Sequence, residues 1–212
     1  YQKLKIKNLL KNLIIIQIFG LKKIIYKMFE NIKNLFPVFE KNPNLVFLDT
    51  AASALKPKEM IDATNNCYSY EYANVHRGLY SLSSNLTKNF ENVRIQVSDF
   101  ISSHSEENII FTKSATEGIN LVVDKFGEKY LSEGDEVLIS YLEHHANIVP
   151  WHIAAKKYKF KIVPIKLNEL GEIDYNDFND KINSRTKFIS LTHMSNVTGS
   201  ITDFEIIKKR IK

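Results

Sequence analysis

Three of the six histidines lie within ten residues, 143–152, in the stretch EHHANIVPWH, which also holds the only tryptophan. Imidazoles at this density could bind a metal ion, act as general bases, or stack on a flat ligand. The adjacent His144 and His145 follow a strand pattern and should point to opposite sides, so we expect no shared metal ion. The plain alternative is that one ring faces a cavity or solvent while the other packs.

The stretch KSATEGIN, residues 113–120, directly follows an apolar run. Ser114 with Glu117 three residues later fits a capping box at the start of a helix. The exposed N–H groups of such a helix, together with the hydroxyls of Ser114 and Thr116, also suit an anion such as a phosphate. No Walker loop and no GxGxxG pattern occurs, so nucleotide binding is unsupported. A well-capped helix and a seat for another phosphorylated cofactor both remain open.

A third polar cluster, HMSNVTG at 193–199, follows another apolar run. Asn196 suits a turn, for which Gly199 supplies a positive φ, and it equally suits a carboxamide that faces a ligand. The only cysteine, Cys67, lies in a helical run and is expected to pack rather than act as a nucleophile. A single cysteine excludes a disulfide framework and a thiolate zinc site, and fits a reducing compartment.

The elements that would position these clusters alternate between strands and helices from residue 108 onward. Periodicity predicts strands at 108–112, 136–140, 160–164 and 187–192, with helices at 116–131, 147–157 and 175–182. Helices are predicted before them at 58–70 and 86–101. The alternation indicates an α/β fold with a largely parallel sheet covered on both faces. Because ligands collect beyond the carboxyl ends of parallel strands, the three polar clusters are expected to converge there.

The formal net charge of +5 is unevenly distributed along the 212 residues. Residues 1–27 hold seven lysines and no acid, and the rest has 22 basic against 24 acidic residues. The charge therefore argues against nucleic-acid binding by the folded body. The apolar run 13–19 is too short to span a bilayer, although a basic membrane-surface helix remains an alternative. We expect residues 1–27 to be translated upstream sequence before Met28 or an extension unrelated to the core activity. Residues 28–48 are expected to form an N-terminal segment, and 49–212 one domain portion.

Five motifs together resemble a known family. The sequence is similar from about Met28 to its last residue to the SufS-type (group II) cysteine desulfurases, pyridoxal-phosphate enzymes of the class V aminotransferase group. The resemblance implies the three-layer, largely parallel sheet of the fold type I large domain, incomplete at its C-terminus. The motifs that carry it are LDTAASALKP (48–57), ANVHRGLYSLS (73–83), TEGINLV (116–122), EHHANIVPW (143–151) and HMSNVTG (193–199).

The resemblance assigns roles toward pyridoxal 5'-phosphate. Thr116, with Ala115, would bind the cofactor phosphate at the helix N-terminus. His144 would stack on the pyridine ring and assist proton transfer, and Asn196 would hydrogen-bond the phenolic oxygen. We expect His145, Trp151 and His152 to pack around this site. Substrate-binding residues implied in the same way are Ala51, Ala52, Ser53, His76 and Arg77.

The implied reaction converts L-cysteine into L-alanine and an enzyme persulfide for iron–sulfur cluster assembly. The implied partners are a sulfur acceptor of the SufE or SufU type and a second copy of the chain; neither nucleic acid nor a membrane is expected. The implied compartment is the cytoplasm, or an organelle if residues 1–27 are a genuine extension.

The family's Schiff-base lysine, pyridine-facing aspartate, nucleophilic cysteine and carboxylate-binding arginine do not occur before Lys212. We therefore expect an N-terminal fragment that is inactive by itself, with an uncovered sheet edge that favours aggregation. Selenocysteine lyase or another class V enzyme is an alternative within this fold. A non-catalytic truncated paralogue that binds or dimerises is an alternative of another class.

Overall fold

The computed structural model describes residues 32–211. Contacts divide the chain into two compact units, one through Ile109 and the other from Ile110. This division falls inside the predicted 49–212 portion, and each unit is described by itself. No helix within residues 32–211 is long and apolar enough to cross a bilayer. The basic segment 1–27 lies outside the described residues, so the predictions made for it stay predictions.

The first unit is helical. Its α-helices are α1 (Val38–Lys41), α2 (Lys58–Asn66) and α3 (Ser81–Phe100), and a π-helical turn, Cys67–Glu71, follows α2. The helix predicted at 58–70 is thus regular only to Asn66. The helix predicted from residue 86 begins five residues earlier, at Ser81. A tertiary contact supports that early start, because the buried Ser83 donates to the carbonyl of Asn74 at 2.6 Å.

The second unit alternates helices with strands as predicted. Its elements are α4 (Ala115–Tyr130), β1 (Glu136–Ser140), α5 (Val149–Tyr158), β2 (Lys161–Ile165), α6 (Tyr175–Lys181), β3 (Thr186–Ser190) and α7 (Phe204–Ile211). The three strands run parallel in the order β2-β1-β3. All six elements predicted between residues 116 and 192 are confirmed to within two residues at each end.

The central strand β1 explains why the sheet needs helices on both faces. All five of its residues are buried, as expected for a parallel strand without a solvent face. Val137 and Ile139 pack with Val123 of α4 and Trp151 of α5. On the other face, Leu138 belongs to a second buried cluster, which also contains Phe178 of α6 and Ile207 of α7. The predicted α/β class with a covered parallel sheet is confirmed.

The strand predicted at 108–112 is wrong. A 3-10 turn, Glu106–Asn108, reaches the first residue of this segment, and residues 109–112 form no strand. Ile110 and Phe111 are 71% and 49% exposed. A β-branched run becomes a strand only when a neighbouring strand pairs with its backbone, and within the described residues none pairs with this segment.

Candidate active site

The N-terminus of α4 is capped by Ser114. Its hydroxyl accepts from the N–H of Glu117 at 3.2 Å, which is half of the predicted capping box. Glu117 reaches back, but to the N–H of Lys113 at 2.7 Å rather than to that of Ser114. The backbone therefore enters the helix in a fixed direction, with Ala115 and Thr116 exposed.

Two amides of this first turn stay available. The first backbone hydrogen bond of α4 runs from the Gly118 N–H to the Ser114 carbonyl, and the Glu117 N–H is already taken by Ser114. Within residues 32–211 no group accepts from the N–H of Ala115 or Thr116, and the Thr116 hydroxyl is exposed. Two free N–H groups, a hydroxyl and the positive end of a 16-residue helix suit an anion.

His144 lies four residues beyond β1 and caps the 3-10 turn His145–Asn147. Its Nδ1 accepts from the N–H of Ala146 at 3.1 Å. Since Nδ1 is the acceptor, the ring proton of the neutral imidazole is on Nε2. The side chain is exposed, so the ring face and Nε2 are accessible to a ligand.

The other members of the histidine-rich stretch have separate places. The prediction that Trp151 packs is confirmed, since it is 1% exposed and its ring centroid lies 4.8 Å from that of Phe188. The same prediction is wrong for His145 and His152, which are exposed. His152 follows the buried Trp151 in α5 and therefore points about 100° away from it.

The strand geometry assumed for the histidine pair is also wrong, because β1 ends at Ser140 and both residues lie in or beside the 3-10 turn. Their rings meet edge to face, with centroids 6.2 Å apart. Among residues 32–211 there is no group of three His, Cys, Asp or Glu side chains that could hold a metal ion.

Asn196 lies in a tight turn after β3. The buried Ser195 accepts from the N–H groups of Val197 and Thr198, each at 3.2 Å. A short antiparallel bridge between Met194 and Ile201 closes the turn. The Asn196 side chain is exposed and has no hydrogen-bond partner within the described residues, so its carboxamide is free to bind a ligand.

The loops that carry His144 and Asn196 leave the same edge of the sheet. Their strands, β1 and β3, are parallel neighbours, with Ile139 opposite Ser190 near the carboxyl ends. Helix α4 contacts the 3-10 turn beside His144. Of the three clusters predicted to converge, those of His144 and Asn196 follow neighbouring parallel strands at one sheet edge. The third, at 113–120, follows no strand, so that part of the prediction is wrong.

A buried carboxylate that sequence analysis missed joins these two loops. Glu143 is 8% exposed, and its Oε1 accepts from the N–H of Thr192 at 2.9 Å. Thr192 follows β3, and Glu143 immediately precedes His144. The available signal was the four-residue spacing of Glu143, Asn147 and Trp151, which places their side chains on one side of a helical turn.

The first unit holds the remaining candidates. The exposed Ala51, Ala52 and Ser53 form a turn in which the N–H groups of Ala52 and Ser53 donate to the Asp49 carbonyl, each at 3.1 Å. These residues stay predicted substrate contacts.

His76 adopts a left-handed backbone with φ of 71°. Its N–H donates to the Thr87 hydroxyl at 2.9 Å, and its Nε2 lies 3.2 Å from the Glu91 carboxylate. A non-glycine residue keeps this conformation only when its surroundings enforce it. The neighbouring Arg77 is exposed and has no ion-pair partner within the described residues.

Comparison with known proteins assigns the family. The Aminotransferase class-V family model matches residues 46–212. The chain belongs to the class-V aminotransferase family. The predicted resemblance is thereby confirmed at the level of the family.

Several relatives of the class-V chain are named cysteine desulfurases. It is 40% identical over 186 residues to the cysteine desulfurase of Wigglesworthia glossinidia brevipalpis, covering 86% of this chain and 45% of that protein. It is also 40% identical over 186 residues to the cysteine desulfurase SufS of Plasmodium falciparum, covering 87% and 34%. The chain therefore spans less than half the length of either relative.

The solved structures agree on the fold. The apo structure of a cysteine desulfurase from Thermococcus onnurineus NA1 superposes with a TM-score of 0.78 at 32% identity, covering 85% of this chain and 44% of that one. The α/β fold of the class-V chain is that of the matched 44% of this structure.

Proposed function

We propose that the chain forms part of the pyridoxal 5'-phosphate site of a cysteine desulfurase, which converts L-cysteine into L-alanine and an enzyme persulfide. One observation carries the proposal. The loops of His144 and Asn196 leave adjacent parallel strands at one edge and are joined through Glu143. The names of the relatives support the choice of reaction.

The start of α4 fits the cofactor's phosphate group. The free N–H groups of Ala115 and Thr116 and the Thr116 hydroxyl would donate to the phosphate oxygens, and the helix dipole favours their negative charge. Ser114 holds these amides in place by capping the helix at Glu117. Thr116 and Ala115 therefore bind and orient; they transfer no proton.

His144 and Asn196 fit the aromatic ring. The exposed His144 imidazole offers a flat face for stacking, and its Nε2 can hold or move a proton, because Nδ1 is held by the Ala146 N–H. The free carboxamide of Asn196 would donate to the phenolic oxygen. When bound, pyridoxal phosphate supplies an electron sink for the substrate Cα carbanion.

The substrate would be bound by the first unit's candidates. Arg77, whose guanidinium is exposed, would face the substrate near the mouth of the site or lie at the dimer contact. The small side chains of the Ala51–Ser53 turn would leave room for L-cysteine beside the backbone of the turn. His76 would fix the position of Arg77, because its own backbone is held by Thr87.

We further propose a sulfur acceptor of the SufE or SufU type, a homodimer, and a reducing compartment such as the cytoplasm, with an organelle as the alternative if residues 1–27 are a genuine extension. The free Cys67 agrees with a reducing environment. Leu48, Leu79 and Phe100 are each at least 89% exposed, so these apolar side chains are available to a protein interface.

Binding is tested with pyridoxine 5'-phosphate, which lacks the aldehyde and so cannot form adducts with surface lysines. Quenching of the single tryptophan, Trp151, would report the titration. We expect saturable binding that Thr116→Val, His144→Ala and Asn196→Ala each weaken and that excess inorganic phosphate competes away. His152→Ala is the matched control, because His152 is exposed and lies outside the proposed site. Absence of saturable binding, or an equal loss of affinity in the His152→Ala control, contradicts the proposed site.

The reaction is tested in the complete gene product by measuring alanine and persulfide formed from L-cysteine. Alanine formation abolished by His144→Ala supports the desulfurase. A strong preference for selenocysteine identifies the selenocysteine lyase alternative. A complete product that binds the analogue and releases no alanine from either substrate supports the non-catalytic paralogue.

A further inference from the structure

The buried carboxylate of Glu143 is satisfied by neutral donors at both oxygens. Oε1 accepts from the Ser140 hydroxyl at 2.6 Å and from the Thr192 N–H at 2.9 Å. Oε2 accepts from the Asn147 side-chain amide at 2.8 Å. No ion pair among the described residues includes Glu143. A buried charge without a cation needs every one of these hydrogen bonds.

Trp151 dictates which way Asn147 faces. The indole N–H, which can only donate, lies 3.3 Å from Asn147 Oδ1. The Ser190 hydroxyl donates to the same oxygen at 2.6 Å. With Oδ1 held by these two donors, the amide nitrogen of Asn147 must face residue 143.

This orientation makes a carboxylate necessary at position 143. A glutamine there would keep one acceptor oxygen for Ser140 and Thr192, but its amide nitrogen would face the amide nitrogen of Asn147. Turning Asn147 over would set its nitrogen against the Trp151 N–H. Either arrangement leaves a donor facing a donor in a buried place.

The network connects the neighbours of both proposed cofactor-binding residues. Glu143 immediately precedes His144 in the chain, and Asn147 ends the 3-10 turn that His144 caps. Across the sheet edge, Ser190 ends β3 and Thr192 begins the segment that leads to Asn196. The positions of both loops therefore depend on the hydrogen bonds at Glu143.

We propose that Glu143 is a positioning residue, which holds the His144 loop against the Thr192 segment so that imidazole and carboxamide face one ligand. The proposal rests on the proposed cofactor site. It assigns Glu143 no contact with the ligand and no proton transfer. Its chemical requirement is an acceptor at both side-chain atoms that face Thr192 and Asn147.

A swap of the two polar groups tests the requirement in the full chain. Glu143→Gln alone sets two amide nitrogens together. Glu143→Gln with Asn147→Asp restores every hydrogen bond, because the side-chain amide introduced at position 143 then donates to the carboxylate introduced at position 147. That carboxylate still accepts from Trp151 and Ser190. For the folded proteins, well below their unfolding temperatures, we expect pyridoxine 5'-phosphate affinity to fall at least about tenfold in the single variant and to return in the double variant.

Nuclear magnetic resonance of the unliganded variants separates this proposal from the cofactor proposal. We expect the Ala146 and Thr192 amide resonances and the His144 ring nitrogens to shift in Glu143→Gln and to return in the double variant, even if no variant binds the analogue. A purely structural role would lower the unfolding temperature without moving the His144 ring in folded protein. Unchanged resonances in a folded single variant, or failure of the double variant to restore them, would overturn the proposal. If the single variant does not fold, a double variant that folds and regains the resonances supports it, and one that does not fold overturns it.

Discussion

The Arg185 guanidinium donates through Nε to the buried carboxylate of Glu136 at 2.8 Å, across 49 residues of sequence. Asn183 donates to the other oxygen, also at 2.8 Å. Glu136 begins β1 and is 5% exposed, whereas Arg185 directly precedes β3. This pair therefore anchors the amino ends of the two strands, at the opposite edge of the sheet from His144.

The first prediction is a stability change with pH. The Asn183 hydrogen bond, followed by the hydrogen bond and charge of Arg185, holds the pKa of Glu136 below its ordinary value against the opposing effect of burial. Because the folded-state pKa is lowered, ionised Glu136 stabilises the fold at pH values above its ordinary pKa of about 4.3. This stabilisation is lost as the pH falls through the folded-state pKa. We expect the free energy of unfolding to decrease from about pH 5 downward. Glu136→Gln should flatten this decrease, as urea unfolding across the pH range would measure. The exposed Glu133→Gln should leave it unchanged; equal slopes in both variants would refute the assignment.

The second prediction concerns two glycines of α4. A Cβ on Gly127 would lie 2.9 Å from the Tyr158 ring, whereas one on Gly118 would meet nothing closer than Thr112 at 3.5 Å. Alanine in place of a helical glycine gains about 1 kcal/mol, and overpacking costs about 1–3 kcal/mol. We expect Gly118→Ala to stabilise the fold and Gly127→Ala to destabilise it by about 1 kcal/mol net, as measured by urea unfolding. Stabilisation by both substitutions would show that the Tyr158 ring moves aside at little cost.

The third prediction tests the support of the left-handed His76. Thr87 and Thr64 each donate to the carbonyl four residues earlier at 2.8 Å, and Thr87 also accepts from the His76 N–H. Valine has the same shape as threonine and lacks the hydroxyl. We expect Thr87→Val to cost about 1 kcal/mol and to speed hydrogen exchange of the His76 amide. Thr64→Val is the matched control and should leave that exchange rate unchanged. Equal rates in all three proteins would mean that Thr87 does not hold the loop.

Local sequence patterns were sufficient to predict the elements between residues 116 and 192. The apolar run of β1 and the helical spacing along α4 gave both elements to within one residue, because burial on both sheet faces agrees with local propensity. The capping role of Ser114 was also predictable, since its partner Glu117 is three residues away. The strand predicted at 108–112 is wrong because a strand forms only beside a strand that pairs with it, and a local sequence pattern does not show whether one is present.

The parts that sequence analysis missed depend on contacts that are distant in the chain. The spacing of Glu143, Asn147 and Trp151 indicates a shared side of one turn. The hydrogen bond from Thr192, 49 residues later, which makes Glu143 a link between two loops, has no local pattern. The left-handed backbone of His76 depends on Thr87, 11 residues later in α3. The cofactor roles of Thr116, His144 and Asn196 came from family resemblance, and they stay proposals.

The most direct measurement of the proposed cofactor site is an amide-shift titration of the isotope-labelled chain with pyridoxine 5'-phosphate. We expect saturable shifts at Ala115 and Thr116, accompanied by the His144 ring and the Asn196 side-chain amide. The Asn176 amide is the internal control, because it lies at the start of another helix but is already bonded to Asp174 at 2.9 Å. Saturable shifts at these four residues without a shift at Asn176 support the proposed cofactor site. Shifts of equal size at Asn176, or none at Ala115 and Thr116, would contradict it.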